Sequence, residues 1–206
     1  IAALAGSRLI VHEAIADDFL STVKALAARV TVGDPLDDQT KVGAMISSDH
    51  LKKVAGYVSA AEGDGSQVYS GGKQLASNVG QYLDPTIIRG VTEEMAIARE
   101  EVFGPVLSVL TFESIEKALH IANNTPYGLS AGVWSASIDT CMSVARGVRS
   151  GTVWVNTFME GYPELPFGGY KQSGLGRELG KRAVEDYTEE KTIQFHRGQR
   201  TGWWVG

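Results

Sequence analysis

The chain has 206 residues, 43% of them hydrophobic and 21% charged, with a formal net charge of −5. That length buries one substantial core in one or two lobes, and the acidic balance disfavours nucleic acid, which selects basic faces. No apolar run approaches the roughly 20 residues of a membrane span, "IAALAG" lacks the charged n-region of a signal peptide, and the single cysteine, Cys141, leaves no internal disulfide framework. His12, His50, His120 and His196 show no metal-ligand spacing. We therefore expect a cytoplasmic protein with no metal site and neither a nucleic-acid nor a membrane partner. The chain opens without an initiator Met, so we expect a piece of something longer.

The elements alternate along the chain. "SRLIVHE" reads as a buried strand, and "AIADDFLSTVKALAARV" follows with Ile15, Phe19, Val23 and Leu26 at helical spacing. "VGDPLDDQTKVG" is a loop. "SSDHLKKVAGYVSAAEGDG" is a helix with a Ser/Asp start and a Gly stop. "QVYSGG" is a short strand, and "QYLDPTIIRGV" carries an Asp-Pro break and then a strand. "PVLSVLTFE" is a strand leading into the helix "SIEKALHIANNT", with Ser114 as its N-cap. "LSAGVWSA" is a strand, "SIDTCMSVARGV" a helix and "GTVWVNT" a strand. "GRELGKRAVEDYT" is predicted helical and "KTIQFH" a final strand. Strand then helix, repeated, predicts an α/β fold with a mostly parallel sheet flanked by helices. Sites in such sheets lie beyond the carboxyl ends of strands. That points to the loop after "TVWVN" and the loop before "PVLSVL".

Three segments carry polar chemistry. "REEVFGPV" is either a turn with a solvated charge pair or a place where one carboxylate accepts hydrogen bonds from ligand hydroxyls, with Phe103 offering an apolar face to a flat ring. Asn156 is a strand-end turn residue or an amide that donates to an oxygen. "LPFGGYKQSGLGRELG" spends five glycines in sixteen positions. It departs from the G-x-G-x-x-G phosphate loop, because Leu179 stands at the third glycine position. Its glycines suit a loop where backbone passes close to backbone, and such a loop can also wall a pocket. Cys141 lies on a helix with an apolar period and reads as a buried structural thiol.

Taken in order, "AGSRLIVHE", "EEVFGPV", "ANNTPYGLSAGVW", "GTVWVN", "PFGGYKQSGLGRELG" and "YTEEKTI" resemble the C-terminal, catalytic-lobe part of the NAD(P)-dependent aldehyde dehydrogenases, over residues 1 to about 196. The resemblance implies an aldehyde substrate, NAD or NADP as cofactor, a cysteine nucleophile, and a homo-oligomer. It assigns Glu101 to the ribose hydroxyls of the nicotinamide half and Phe103 to the nicotinamide itself. It assigns Phe167 and the run "TFMEGYPEL", with Phe158, to the wall of the substrate pocket. Asn156 takes a supporting place near the substrate. One position departs from the pattern: the family places its catalytic cysteine five residues before the Arg of "AGSR", where this chain has Ala3. The family's general-base glutamate, its oxyanion asparagine and its main dinucleotide lobe are expected upstream of residue 1, so the cofactor site is expected to be incomplete. We expect a catalytic-lobe domain over 1–187 and an oligomerisation strand and tail over 188–206. Two readings follow: a fragment of an aldehyde dehydrogenase, inactive alone, or a non-catalytic oligomerisation module derived from that family.

Overall fold

The computed structural model describes residues 6–75 and 80–198. Ala3 and the closing "RTGWWVG" lie outside the described residues. In chain order the elements are β1 (Arg8–His12), α1 (Glu13–Ala27), α2 (Ser48–Gly63), β2 (Gln67–Ser70), β3 (Gln74–Leu75), β4 (Tyr82–Leu83), β5 (Thr86–Arg89), α3 (Ala96–Arg99), β6 (Val106–Phe112), α4 (Ile115–Asn123), β7 (Tyr127–Gly128), β8 (Ser130–Val133), α5 (Ile138–Gly147), β9 (Thr152–Val155), β10 (Tyr170–Lys171) and α6 (Ala183–Asp186). The expected mixed α/β fold is present.

The main sheet has four strands in the order β1-β6-β5-β2. β1 runs parallel to β6 and β5 parallel to β6, while β2 closes the edge antiparallel to β5. Strand side chains alternate between the faces. Ile88, Val106 and Leu110 enter a core with Leu51, Val54 and Val58 of α2. Val11, Ile87 and Val109 enter the opposite core with Ala16 and Leu20 of α1. Helices on both faces explain why "VLSVL" is apolar at every position but one. The one polar residue in it, Ser108, is buried and donates its hydroxyl to Ile97 O at 3.3 Å.

The helix starts follow side-chain capping. Ser47, Ser114 and Ser137 accept the backbone N–H groups of His50, Lys117 and Thr140. β8 and β9 form a separate parallel pair, with α5 between them in sequence. Cys141 is fully buried on α5, its sulfur 3.6 Å from Ser135 O.

The C-terminal end of α4 is where distant parts of the chain meet. Arg8 donates to Ile121 O and Ala122 O, both at 3.0 Å and across 113 and 114 positions. Lys171 Nζ donates to Asn123 O and Thr125 O, both at 3.0 Å. The Asn123 side chain donates to Gly147 O and accepts from Arg149 N. Carbonyls at a helix end have no partner within the helix and carry the negative end of its dipole, so two cations there satisfy both demands. Burial holds the Arg8 pKa below its ordinary value, countered by Glu93. Burial, with Arg149 and Arg8 nearby, lowers that of Lys171.

Next to this junction the glycine loop packs backbone on backbone. A methyl group on Gly151 would run into the Gly168 carbonyl, and one on Gly168 into the Gly176 carbonyl. Close approach accounts for Gly151, Gly168 and Gly169, and left-handed backbone for Gly174 and Gly180. β10 pairs antiparallel with β7, and Phe167 and Glu178 exchange backbone hydrogen bonds of 2.7 Å.

Two expectations fail in this region. The predicted helix over "GRELGKRAVEDYT" shrinks to α6, because Leu179 and Gly180 both sit at φ 61. Left-handed backbone at two successive residues interrupts a right-handed helix. "KTIQFH" forms no strand: it has no ladder partner among the described residues, and Ile193 and Phe195 are exposed.

Lys171→Met removes the cation that holds the Asn123 and Thr125 carbonyls at and just beyond the end of α4 and is expected to lower unfolding stability by about 2 kcal/mol, the size of hydrogen bonds to a charged group. Gly151→Ala is expected to cost about 3 kcal/mol or more, since backbone must move. Urea unfolding of the two variants checks both values. A Gly151→Ala chain as stable as the unaltered one would remove the close-packing account.

Candidate functional site

The parallel register of β1 on β6 pairs Arg8 with Ser108, and Ser108 N donates to Ser7 O at 2.9 Å. Continuing that register, Gly6 stands level with Val106, three residues beyond Phe103. Gly6 and the segment Glu101–Phe103 therefore share one end of the main sheet. Phe158 reaches the same end: a Cβ built on Gly6 would lie 3.8 Å from its Cζ. Asn156 follows the carboxyl end of β9, whereas Glu101 and Phe103 precede the amino end of β6.

Helix α2 holds the Glu100–Phe103 segment at two points. Tyr57 OH donates to Glu100 Oε2 at 2.6 Å, and His50 Nε2 lies 2.8 Å from Phe103 O. The two side chains are seven residues apart, two turns of helix, and so lie on one face. Between the two anchored residues Glu101 is exposed and enters none of the ion pairs among the described residues. Phe103 sits at φ 56 and is 37% exposed. Sequence reading missed both anchors: His50 was weighed only as a metal ligand. The available signal was its spacing from Tyr57. Among the described residues no His, Cys, Asp and Glu group could hold a metal ion.

Asn156 also has left-handed backbone, at φ 55. Its side-chain oxygen accepts from Ser135 N and its amide donates to Ser135 O, both at 3.0 Å. Both ends of the amide thus tie the end of β9 to the end of β8, so Asn156 anchors the loop that follows it. In that loop Phe158 packs edge-on to Trp154 with ring centres 5.0 Å apart, and lies 6.1 Å from Trp134. Trp154 Nε1 donates to Glu160 O at 2.6 Å. Gly132 makes the seat: a Cβ there would stand 2.7 Å from Trp134 and 3.1 Å from Phe158. Phe167 is half-buried in the glycine loop, its backbone bonded to Glu178. The aromatic cluster gains Trp134 and Trp154, which the sequence reading had placed only as strand residues.

Two open concavities of about 340 and 520 Å³ lie away from these residues, one between α2 and the β2–β4 region and the other along α4.

Comparison with known proteins puts this geometry in context. The profile of the aldehyde dehydrogenase family matches residues 2–193. Betaine aldehyde dehydrogenase of Bacillus subtilis (strain 168) is 44% identical over 192 residues, which is 92% of this chain and 39% of that protein. The crystal structure of an NAD-dependent aldehyde dehydrogenase from Sinorhizobium meliloti superposes with a TM-score of 0.92 at 44% identity, over 99% of this chain and 40% of that one. Betaine aldehyde dehydrogenase from Staphylococcus aureus in complex with NAD+ gives a TM-score of 0.92 at 36% identity, over 100% and 42% of the two chains. The chain spans about two fifths of the length of the relatives it matches.

The Tyr57–Glu100 bond has a measurable signature. The hydrogen bond to Glu100 is the largest cause raising the Tyr57 pKa above its ordinary value of 10.0, with burial and the carboxylate charge adding to it. The folded state therefore holds this proton more tightly than the unfolded state. The contribution to stability is present below pH 10 and is lost as pH rises through the raised value. In NMR titration of tyrosine labelled at the ring carbon, Tyr57 is expected to titrate above 10, and Glu100→Gln to bring it back toward 10. No change in the Glu100→Gln variant would discount the bond.

Proposed function

This chain belongs to the aldehyde dehydrogenase family, and we propose that it is the C-terminal, catalytic-lobe part of an NAD(P)-dependent member. The reaction of such a lobe is the oxidation of an aldehyde to a carboxylic acid by way of a cysteine thiohemiacetal. The observation that supports this reading best is the convergence of Phe103, Gly6 and Phe158 at one end of the main sheet. There Gly6 lies against Phe158, at the end of the sheet that the exposed Glu101 and the ring of Phe103 precede.

A nicotinamide dinucleotide, when bound, supplies the hydride acceptor. The residues present suit its nicotinamide half. The Glu101 carboxylate is exposed and outside any ion pair of the described residues, and can accept from two adjacent ribose hydroxyls. Phe103 offers a partly exposed ring face beside it. Phe158 and Phe167 would wall the aldehyde pocket and exclude water, with Asn156 holding the loop between them and β9 in place. The adenosine and pyrophosphate would need a binding lobe that we assign outside these 206 residues.

Ala3 supports a second reading. An alanine at the family's nucleophile position supplies no thiolate, so these 206 residues by themselves would serve as a non-catalytic, oligomerising module. Both readings place a catalytic-lobe domain over 1–187 and an oligomerisation segment over 188–206. Ile193 and Phe195, exposed at 69% and 92%, are apolar residues that lack cover among the described residues.

The purified chain is expected to yield no NADH or NADPH above a no-protein blank with a panel of aliphatic, aromatic and quaternary-ammonium aldehydes. Sustained absorbance growth at 340 nm would overturn the assignment of Ala3. Light scattering is expected to show an oligomer that becomes a monomer when residues 190–206 are deleted. A monomer in both cases would remove the proposed role of that segment.

A further inference from the structure

We propose that His50 is a positioning residue for the cofactor end of the site: it holds the Phe103 carbonyl, so that Glu101 and Phe103 are presented together to a nicotinamide ribose. This deepens the reading above and rests on it.

The geometry is specific. His50 lies in the first turn of α2, its own backbone N–H taken by Ser47 Oγ at 3.1 Å. Its ring Nε2 is 2.8 Å from Phe103 O, and its edge faces the Phe103 ring with centres 6.5 Å apart at 73°. A carbonyl only accepts, so the ring must carry its proton on Nε2. One side chain therefore touches both the backbone and the ring of Phe103.

Phe103 needs such a hold. Left-handed backbone is unfavourable for a bulky residue and persists only where the surroundings impose it. The rest of the turn is imposed from two sides. Thr86 N of β5 donates to Pro105 O at 2.8 Å. Gly104 lies so close to α2 that a Cβ on it would meet Val54 at 2.9 Å. Upstream, Tyr57 fixes Glu100. That leaves Phe103 O as the point where the conformation of Phe103, and the direction in which Glu101 leaves the turn, is set by a single replaceable side chain. Losing the bond frees the Phe103 peptide to rotate toward right-handed backbone, turning the ring and the neighbouring carboxylate out of register.

The test uses nicotinamide mononucleotide, which carries the nicotinamide ribose without the adenosine half. Its binding to the 206-residue chain is measured by saturation-transfer NMR. His50→Leu is expected to weaken binding about tenfold, the size of one hydrogen bond. His50→Gln, whose amide N–H can reach the same carbonyl, is expected to stay within about twofold of the unaltered chain. Val58→Ala, a core change on the same helix, lowers the thermal midpoint and is expected to leave binding unchanged. The inference falls if His50→Leu binds as well as the unaltered chain, if Gln does not rescue, or if Val58→Ala weakens binding as much as His50→Leu. A distinct result defeats the underlying reading. If the unaltered chain does not bind the mononucleotide, or Glu101→Gln binds it equally well, the cofactor assignment of this turn is wrong and the inference goes with it.

Discussion

The last carbonyls of α4 organise this molecule. A helix end presents oxygen atoms that the helix cannot satisfy, and covering them without partners is costly. Here the partners arrive from both directions of the chain: Arg8 from the first strand and Lys171 from the glycine loop. Asn123, one residue of the same helix end, adds the backbone around Gly147 and Arg149. Four segments far apart in sequence are thus fixed to one another by the side chains of Arg8, Lys171 and Asn123. Arg8 is the same residue that starts β1, so the anchoring of α4 and the register of β1 on β6 are set together.

From that junction the site geometry follows. Lys171 can reach α4 only if the glycine loop folds down onto β7 and the start of β9. That requires Gly151, Gly168 and Gly176 to stack backbone on backbone. The loop between β9 and this stack is then held at both ends, by the Asn156–Ser135 pair at one and by the Phe167–Glu178 pair at the other. Phe158 emerges from it against Trp154 and Trp134, at the end of the sheet where Gly6 and Phe103 also lie. Phe103, Asn156 and Lys171 are three of the five non-glycine residues with left-handed backbone among the described residues, beside Met159 and Leu179. For the first three the hold is a hydrogen bond. Each has a specific anchor: His50, Ser135 and the α4 carbonyls respectively. Rigid positioning of this kind is what a site needs when its groups must meet a ligand at fixed geometry.

The division of labour between helices is equally physical. α1 contributes little besides apolar cover on one face of the sheet. α2 covers the other face with Leu51, Val54 and Val58, and turns His50 and Tyr57 toward the segment before β6. One helix thus buries a core and grips a functional turn with side chains two turns apart. The exposed apolar positions Ile193 and Phe195 show the opposite case. They belong to a segment whose alternation suits a strand, but a strand requires a neighbour, and none of the described residues supplies one.

The sequence by itself determined what depends on local pattern. Apolar periodicity, serine caps and Gly or Pro breaks located all the longer elements and the α/β class, and the ordered motifs identified the family. The residue at position 3 was likewise visible from the sequence alone. What it did not determine depends on distance in space. The hold of His50 on the Phe103 carbonyl spans 53 positions and that of Arg8 on α4 more than a hundred, and neither leaves a periodic trace. The Asn156 amide reads in the sequence either as a turn residue or as a donor to an oxygen, and only the pairing of β8 with β9 brings Ser135 within its reach. The helix expected after "GRELG" failed because tertiary closure of the glycine loop forces Leu179 and Gly180 into left-handed backbone, overriding a helical pattern worth only tenths of a kcal/mol per residue. Local propensities are weak and additive along the chain, whereas these contacts are made by residues that only the folded sheet brings within hydrogen-bond reach.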